Sequence, residues 1–253
     1  MLNKQEIAYW CVVQDRKVYL PFGELPLLTA NELAFDTDLA RKVGEYNNHP
    51  VYWLEAPEAL NSADFHTQRE LLDVAPALFD LVGRATQLSH MLHTQKYCPS
   101  CGGQCQLAEM DIAMVCQQCD SHHYPRISPC VIVAVRRGDE LLLAQHPRHK
   151  TGMYTVIAGF VEAGETLEQC VAREVLEETG IIVSNIRYVG SQPWAFPSNL
   201  MMGFLADYQS GELKPDYTEL SDAVWATKAT LPEVAPKGTI ARHLIELSLE
   251  KMK

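Results

Sequence analysis

The stretch GFVEAGETLEQCVAREVLEETGI, residues 159–181, fixes more about the fold than any other part of the chain. Thr166 and Gln169 form a T-x-x-Q capping box, which predicts a helix starting at Leu167. Gly180 stands where a C′ glycine would end it. At 100° per residue, Glu174 and Glu178 point the same way, one turn apart, on a stripe shared with Leu167, Cys170 and Val171. Ala172, Val175 and Leu176 make a second apolar stripe, with Gln169, Arg173 and Glu177 between the two, so the helix is expected to be covered on two sides. A solvated charge run would place its acids opposite the apolar residues. Here two carboxylates interrupt an inward-looking stripe, where like charges at i,i+4 repel and burial adds to the cost. A divalent cation removes both costs, and oxygen-only ligands favour Mg²⁺ or Mn²⁺ over zinc. The competing reading is a structural cluster paired with arginine.

A second motif lies upstream. KYCPSCGGQ and VCQQCDSHH place Cys98-x2-Cys101, fourteen residues, then Cys116-x2-Cys119. Two such knuckles put four thiolates around one tetrahedral zinc per chain. Four protein ligands leave no open coordination position, so this zinc is structural. The Gly102-Gly103 pair suits the tight turn after the first knuckle. His122 and His123 are not needed as ligands, and Cys11, Cys130 and Cys170 sit in apolar contexts that read as core.

Composition divides the chain into residues 1–95, an N-terminal α+β domain; 96–126, the zinc ribbon; and 127–253, a third domain. In the first, Cys11–Leu20 and Val51–Leu54 read as strands and about 75–93 as a helix. In the third, 130–137 and 140–145 read as strands joined at Gly138-Asp139, followed by strand candidates at 154–157, 186–192, 201–208 and 223–227 and a closing amphipathic helix. The start has no apolar run of signal-peptide length, and no segment approaches the ~20 apolar residues that span a bilayer. The expectation is a cytoplasmic chain with reduced cysteines and no membrane association. A net charge of −11 argues against non-specific nucleic-acid binding. It also means that an anionic substrate needs a local source of positive charge.

The spacing of Gly159, Glu165, Arg173-Glu174-Val175, Glu177-Glu178 and Gly180-Ile181 resembles a complete Nudix box. Ten residues beyond it, SQPWAFPSNLM (191–201) resembles the substrate-loop signature of the NADH pyrophosphatase (NudC-type) branch of the Nudix hydrolases, with Ala195 where that branch commonly has proline. The ribbon, Tyr124-Pro125 after it, and the length of the N-terminal region fit the same branch. The resemblance implies an α/β fold: a Nudix α/β/α sandwich with a mixed sheet, preceded by a zinc ribbon and an N-terminal α+β domain.

The same resemblance implies metal-dependent hydrolysis of the diphosphate of NADH or NAD⁺ to nicotinamide mononucleotide and AMP, removal of NAD caps from RNA, and a homodimer. Glu174 and Glu178 become ligands for Mg²⁺ or Mn²⁺, with the Ala158 carbonyl and Glu219 adding to them. Glu177 is a further ligand or the group that positions water, and Arg173 orients the glutamates. Arg69, Asp111, Tyr124, Phe160 and Ala241 match substrate contacts, as does the loop of Gln192, Pro193, Trp194, Ala195, Phe196, Pro197, Ser198 and Asn199. Asp111 stands where the family often has glutamate, which shortens its reach. The alternatives are a Nudix hydrolase for ADP-ribose or another nucleoside diphosphate, a non-catalytic NAD-responsive regulator, and a zinc-ribbon nucleic-acid-binding protein. The substrate loop, the intact box and the acidic charge argue against them in turn.

Overall fold

Strand β1 (Ile7–Gln14) alternates so that Ala8, Trp10 and Val12 face one way and Cys11 and Val13 the other, and both sets are buried. Such a strand needs cover on both sides. A computed structural model of the chain describes residues 3–33, 36–56, 60, 62–74, 76–109, 111–147 and 152–250. The chain divides into two compact units. The first runs to Ile127 and includes Ala195–Ser198; the second is Ser128–Trp194 with Asn199–Lys253.

In the first unit, β1 joins β2 (Lys17–Tyr19), β3 (Leu27–Thr29), β4 (Arg41–Tyr46), β5 (His49–Glu55) and β6 (Phe65–Thr67) in a six-stranded sheet. Its order is β4-β5-β1-β2-β6, with β3 on β1. The β1–β5 pair is parallel and the other pairs are antiparallel. The expected single strand Cys11–Leu20 is instead a hairpin. Asp15 and Arg16 both take positive φ (48° and 64°), and the chain reverses between them. A short helix, α1 (Leu71–Val74), leads into α2 (Pro76–Thr94), close to the helix read from the sequence.

One side of α2 carries Leu78, Val82, Ala85, Leu88 and Met91 onto Cys11, Val13, Val43, Val51 and Trp53. The same cluster takes in Cys98, Cys105, Met114 and Cys116. The ribbon strands β7 (Cys105–Leu107), β8 (Met114–Cys116) and β9 (His122–His123) therefore share the core of the α2 layer. The sheet alternation explains this: Cys105, Leu107, Met114 and Cys116 stand on one face, and that face is the apolar one.

In the second unit, β10 (Ser128–Arg137), β11 (Glu140–Gln145), β12 (Tyr154–Thr155), β13 (Ile157–Phe160), β14 (Ile182–Trp194), β15 (Asn199–Ser210) and β16 (Asp222–Ala226) form a mixed seven-stranded sheet. Its order is β12-β11-β10-β15-β14, with β13 on β10 and β16 on β11. Only β10–β15 is parallel. The expected strand 154–157 is broken at Val156, because β12 pairs with β11 and β13 with β10. Alternation along β10 sends Val131, Val133 and Val135 to helix α3 (Leu167–Thr179), which packs Cys170, Val171 and Val175 on them. Ile132 and Ala134 face the opposite side, where α4 (Ile240–Glu250) packs Ile240, Ala241, Leu244 and Ile245. The result is the helix–sheet–helix sandwich expected from the resemblance. No helix among the described residues is long and apolar enough to cross a membrane.

The cysteine quartet is assembled. The Sγ atoms of Cys98, Cys101, Cys116 and Cys119 lie within 4.8 Å of one another, with Cys101–Cys116 and Cys101–Cys119 at 3.4 Å and Cys98–Cys119 at 3.7 Å. A tetrahedron with Zn–S near 2.3 Å has edges of about 3.8 Å, so the donors fit zinc. The backbone N–H groups of Ser100 and Gln118 donate to the sulfurs of Cys98 and Cys116, each at 3.4 Å, which orients the thiolates. Because Cys98 and Cys116 also belong to the α2 core, Cys98→Ser is expected to lose the zinc and loosen both layers together. A loss of about 3 kcal/mol would lower Tm by roughly 10 °C in a chain of this size. Metal analysis and a thermal melt check this, and a zinc-free variant melting at the wild-type temperature would contradict it.

Candidate active site

The helix that bears the glutamates is punctuated as its sequence predicts. Gln169 N–H donates to Thr166 Oγ1 at 3.2 Å, and Thr166 N–H donates to Gln169 Oε1 at 2.7 Å. Gly180 closes the helix in the left-handed region at φ 72°. One expectation fails. Leu176 is 48% exposed, while Val175 is buried in the same cluster as Cys170 and Val171 and Ala172 packs against it, so the second stripe is not a separate covered side. The helix has one buried face, and Glu178, at 4% exposure, lies on it.

Glu174 reaches back over β13. A Cβ built on Gly159 would collide with the Glu174 carboxylate, so only glycine leaves room for it. Burial, the largest influence, raises the Glu174 pKa above the ordinary carboxylate range. Arg173 opposes the shift, and the charges of Glu177 and Glu219 add to it. Ala158, the residue before this glycine, is half-buried on β13, paired with Ile132.

Arg173 ties the site together. Its Nε and Nη2 donate to both oxygens of Glu165, at 3.1 and 2.6 Å. Nη1 donates to Glu174 at 2.9 Å and Glu177 at 3.1 Å, and Nη2 also donates to the Phe160 carbonyl at 3.0 Å. The bidentate grip, helped by the Glu162 N–H, lowers the Glu165 pKa to about 2, and the same carboxylates raise that of Arg173. The Cys170 thiol donates to the Phe160 carbonyl as well, at 3.3 Å. Two donors thus clamp the Phe160 backbone while its ring stands 55% exposed. Glu177 is exposed, and Arg173 is its ion-pair partner.

Glu219 comes from a distant segment. Lys214 N–H donates to Thr179 O and Asp216 N–H to Glu178 O, both at 2.8 Å, which docks the loop on the end of α3. Asp216 Oδ1 then accepts from Thr218, and Leu220 is buried as an anchor. Glu219, exposed on this loop, lies close enough to raise the Glu174 pKa.

The loop read as a substrate contact is the β14–β15 hairpin. Trp194 faces Asn199 across it, and the turn is Ala195–Ser198 with a cis Phe196–Pro197 bond. Pro193 is tolerated within β14 because that strand is an edge. Gln192 is spent on structure: its Nε2 donates to Gly238 O at 2.9 Å, and its Oε1 accepts from Ile240 N–H at 2.8 Å, capping α4. Ala195, Ser198 and Ala241 are buried. In the first unit the Arg69 guanidinium sits 4.6 Å over the Phe196 ring, and Tyr124 hydrogen-bonds Asp111, which raises its pKa.

Within the second unit, then, the fold gathers Ala158, Phe160, Arg173, Glu174, Glu177, Glu178 and Glu219. Within the first it pairs Arg69 with Phe196 and Asp111 with Tyr124. Sequence reasoning assigned no role to Glu165 or Asp216. Glu165 lies eight residues before Arg173, beyond helical spacing, and Asp216 acts through a loop whose docking is non-local.

A NUDIX domain model matches residues 126–247, and an NADH pyrophosphatase zinc ribbon domain model matches residues 93–124. A crystal structure of a NUDIX hydrolase from Nitrosomonas europaea shares the architecture at TM-score 0.54 and 25% identity, over 62% of this chain and 92% of that one. Sandwich, box and glutamate cluster make the second unit a Nudix hydrolase domain. Over its full length the chain is 70% identical to the NAD-capped RNA hydrolase NudC of Photobacterium profundum, covering 95% of that protein. It is 59% identical over 246 residues to the protein of the same name from Vibrio vulnificus, covering 97% of this chain and 94% of that protein. The chain belongs to the NudC family.

Two glycines separate the role of the Gly159 cradle from general strand effects. Gly159→Ala displaces the Glu174 carboxylate, and a shift near 1 Å at a catalytic group costs about 10²-fold in rate. Gly190→Ala, on β14, adds a methyl to open space and is expected to stay near wild type. Steady-state kinetics on both checks this; equal rates would show that Gly159 does not seat the carboxylate.

Proposed function

We propose that the enzyme hydrolyses the diphosphate of NADH and NAD⁺ to nicotinamide mononucleotide and AMP, and removes NAD caps from RNA 5′ ends. The observation that carries this reading is the pair Glu174 and Glu178: one carboxylate seated over Gly159, the other buried on the same helix. Two acids so placed repel unless a cation lies with them. The donors are all oxygen, which fits the Mg²⁺ or Mn²⁺ of Nudix hydrolases. Glu174, Glu178, Glu177, Glu219 and the Ala158 carbonyl would hold it. When bound, such a metal neutralises phosphate charge and acidifies a coordinated water.

The chain's own groups do the rest. Arg173 fixes the Glu174 carboxylate and, with Cys170, the backbone that carries the exposed Phe160 ring. Glu177, Glu178 or Glu219 takes a proton from the attacking water. Tyr124, Phe160 and Trp194 offer aromatic faces to the nicotinamide and adenine bases. Arg69, Asp111, Pro193, Ala195, Phe196, Pro197, Ser198, Asn199 and Ala241 are the further substrate contacts. Gln192 acts by holding the start of α4. The domain scheme is 1–95, 96–126 and 127–253, and the working form is a cytoplasmic homodimer.

Two glutamates on one helix test the metal reading. Glu178→Gln keeps the size of the side chain and removes its charge. It is expected to lower kcat for NADH by at least about 10²-fold, with stability unchanged or raised as the repulsion with Glu174 disappears. Glu168→Gln, in the exposed first turn, should stay near wild type. Full Mn²⁺-dependent turnover by Glu178→Gln would refute the metal site.

A further inference from the structure

The ribbon sheet has two faces, and only one is used by the core. Cys105, Met114 and Cys116 point inward to α2. The strand register puts the intervening residues outward: Tyr97 bridges Gln104, whose carbonyl accepts from Gln117 N–H, and in the next row Gln106 faces Val115, which faces His122. Tyr124 follows His122 on the same face, their rings 6.4 Å apart. Tyr97 and Tyr124 are 65% and 57% exposed, and Gln104, Gln106, Gln117 and His122 are exposed too.

Three inter-strand spacings separate Tyr97 from His122, roughly 14 Å. The face thus carries rings at both edges, with amides and the half-buried Val115 between them. None of these six residues carries a carboxylate, in a chain of net charge −11, and exposed Lys96 and Arg126 adjoin Tyr97 and Tyr124 in sequence. An acid does meet the face at its border, where Asp111 hydrogen-bonds the Tyr124 hydroxyl. Rings on a sheet stack unpaired bases, and side-chain amides hydrogen-bond base edges, which is how sheet-faced RNA modules read single strands. A lipid surface would want apolar or strongly basic groups here, and a protein interface a wider apolar centre than the single half-buried Val115.

We propose that the outward face of the ribbon sheet, formed by Tyr97, Gln104, Gln106, Gln117, His122 and Tyr124, binds the single-stranded RNA body that follows the cap. This rests on the reading that the enzyme removes NAD caps from RNA. It deepens that reading by assigning the polymer a surface of its own on the first unit, one that shares Tyr124 with the contacts proposed for the dinucleotide.

The test uses the full chain with zinc content verified and two double variants, Tyr97→Ala/His122→Ala, which removes rings, and Gln106→Glu/Gln117→Glu, which adds repulsion. Each is assayed on NADH and on an NAD-capped RNA of roughly 16 nucleotides, the upper range of single-strand site sizes. The expected result is unchanged kcat/KM on NADH and a fall of at least about tenfold on capped RNA, the scale of losing one stacked base. Equal values on capped RNA for wild type and variants, or equal losses on both substrates, overturn the proposal. A shift of either variant to a smaller species in sedimentation would make the face a contact between copies and overturn it as well. A wild-type enzyme that cleaves NADH but leaves capped RNA intact fails the decapping reading itself, and the proposed surface falls with it.

Discussion

The guanidinium of Arg173 is the contact on which the site depends, because it joins three pieces of chain at once. It grips both oxygens of Glu165 from the turn, Glu174 and Glu177 from its own helix, and the Phe160 carbonyl from β13. A lysine could match the charge but not the planar fork that serves these acceptors at once. The strand, the turn before the helix and the helix itself therefore move as one body, and the Glu174 carboxylate stays over Gly159.

That arrangement stores cost in order to be useful. Glu178 is buried, Glu174 is partly desolvated with a raised pKa, and Glu177 and Glu219 add charge of the same sign. Arg173 offsets only part of it, since its bidentate grip is spent on Glu165, which is not part of the buried pair. The remaining negative potential suits a divalent cation, which in turn makes an acidic protein able to receive an anionic diphosphate. The zinc ribbon solves a different problem: four thiolates fix a loop-rich segment whose inward residues then complete the α2 core.

What could be read from the sequence was local. The capping box, the C′ glycine, the four cysteines and the β10–β11 hairpin depend on residues within a few positions of each other, and each stands where expected. Errors arise where partners are distant. Tyr154–Ile157 looks like one strand until β10 and β11 compete for its two halves. Leu176 reads as core because periodicity shows two stripes without showing how many neighbours exist to cover them. The Asp15-Arg16 reversal lacks the glycine that usually marks such turns. The docking of the Glu219 loop on α3, and the use of Gln192 to cap α4, join residues some 40 positions apart and leave no local signature.

The most direct measurement is product analysis after incubating the purified protein with NADH and Mn²⁺. Cleavage at the diphosphate, giving AMP and reduced nicotinamide mononucleotide in equal amounts and stopping on chelation, is the predicted result. Release of free nicotinamide, or turnover of ADP-ribose with none of NADH, would contradict the account.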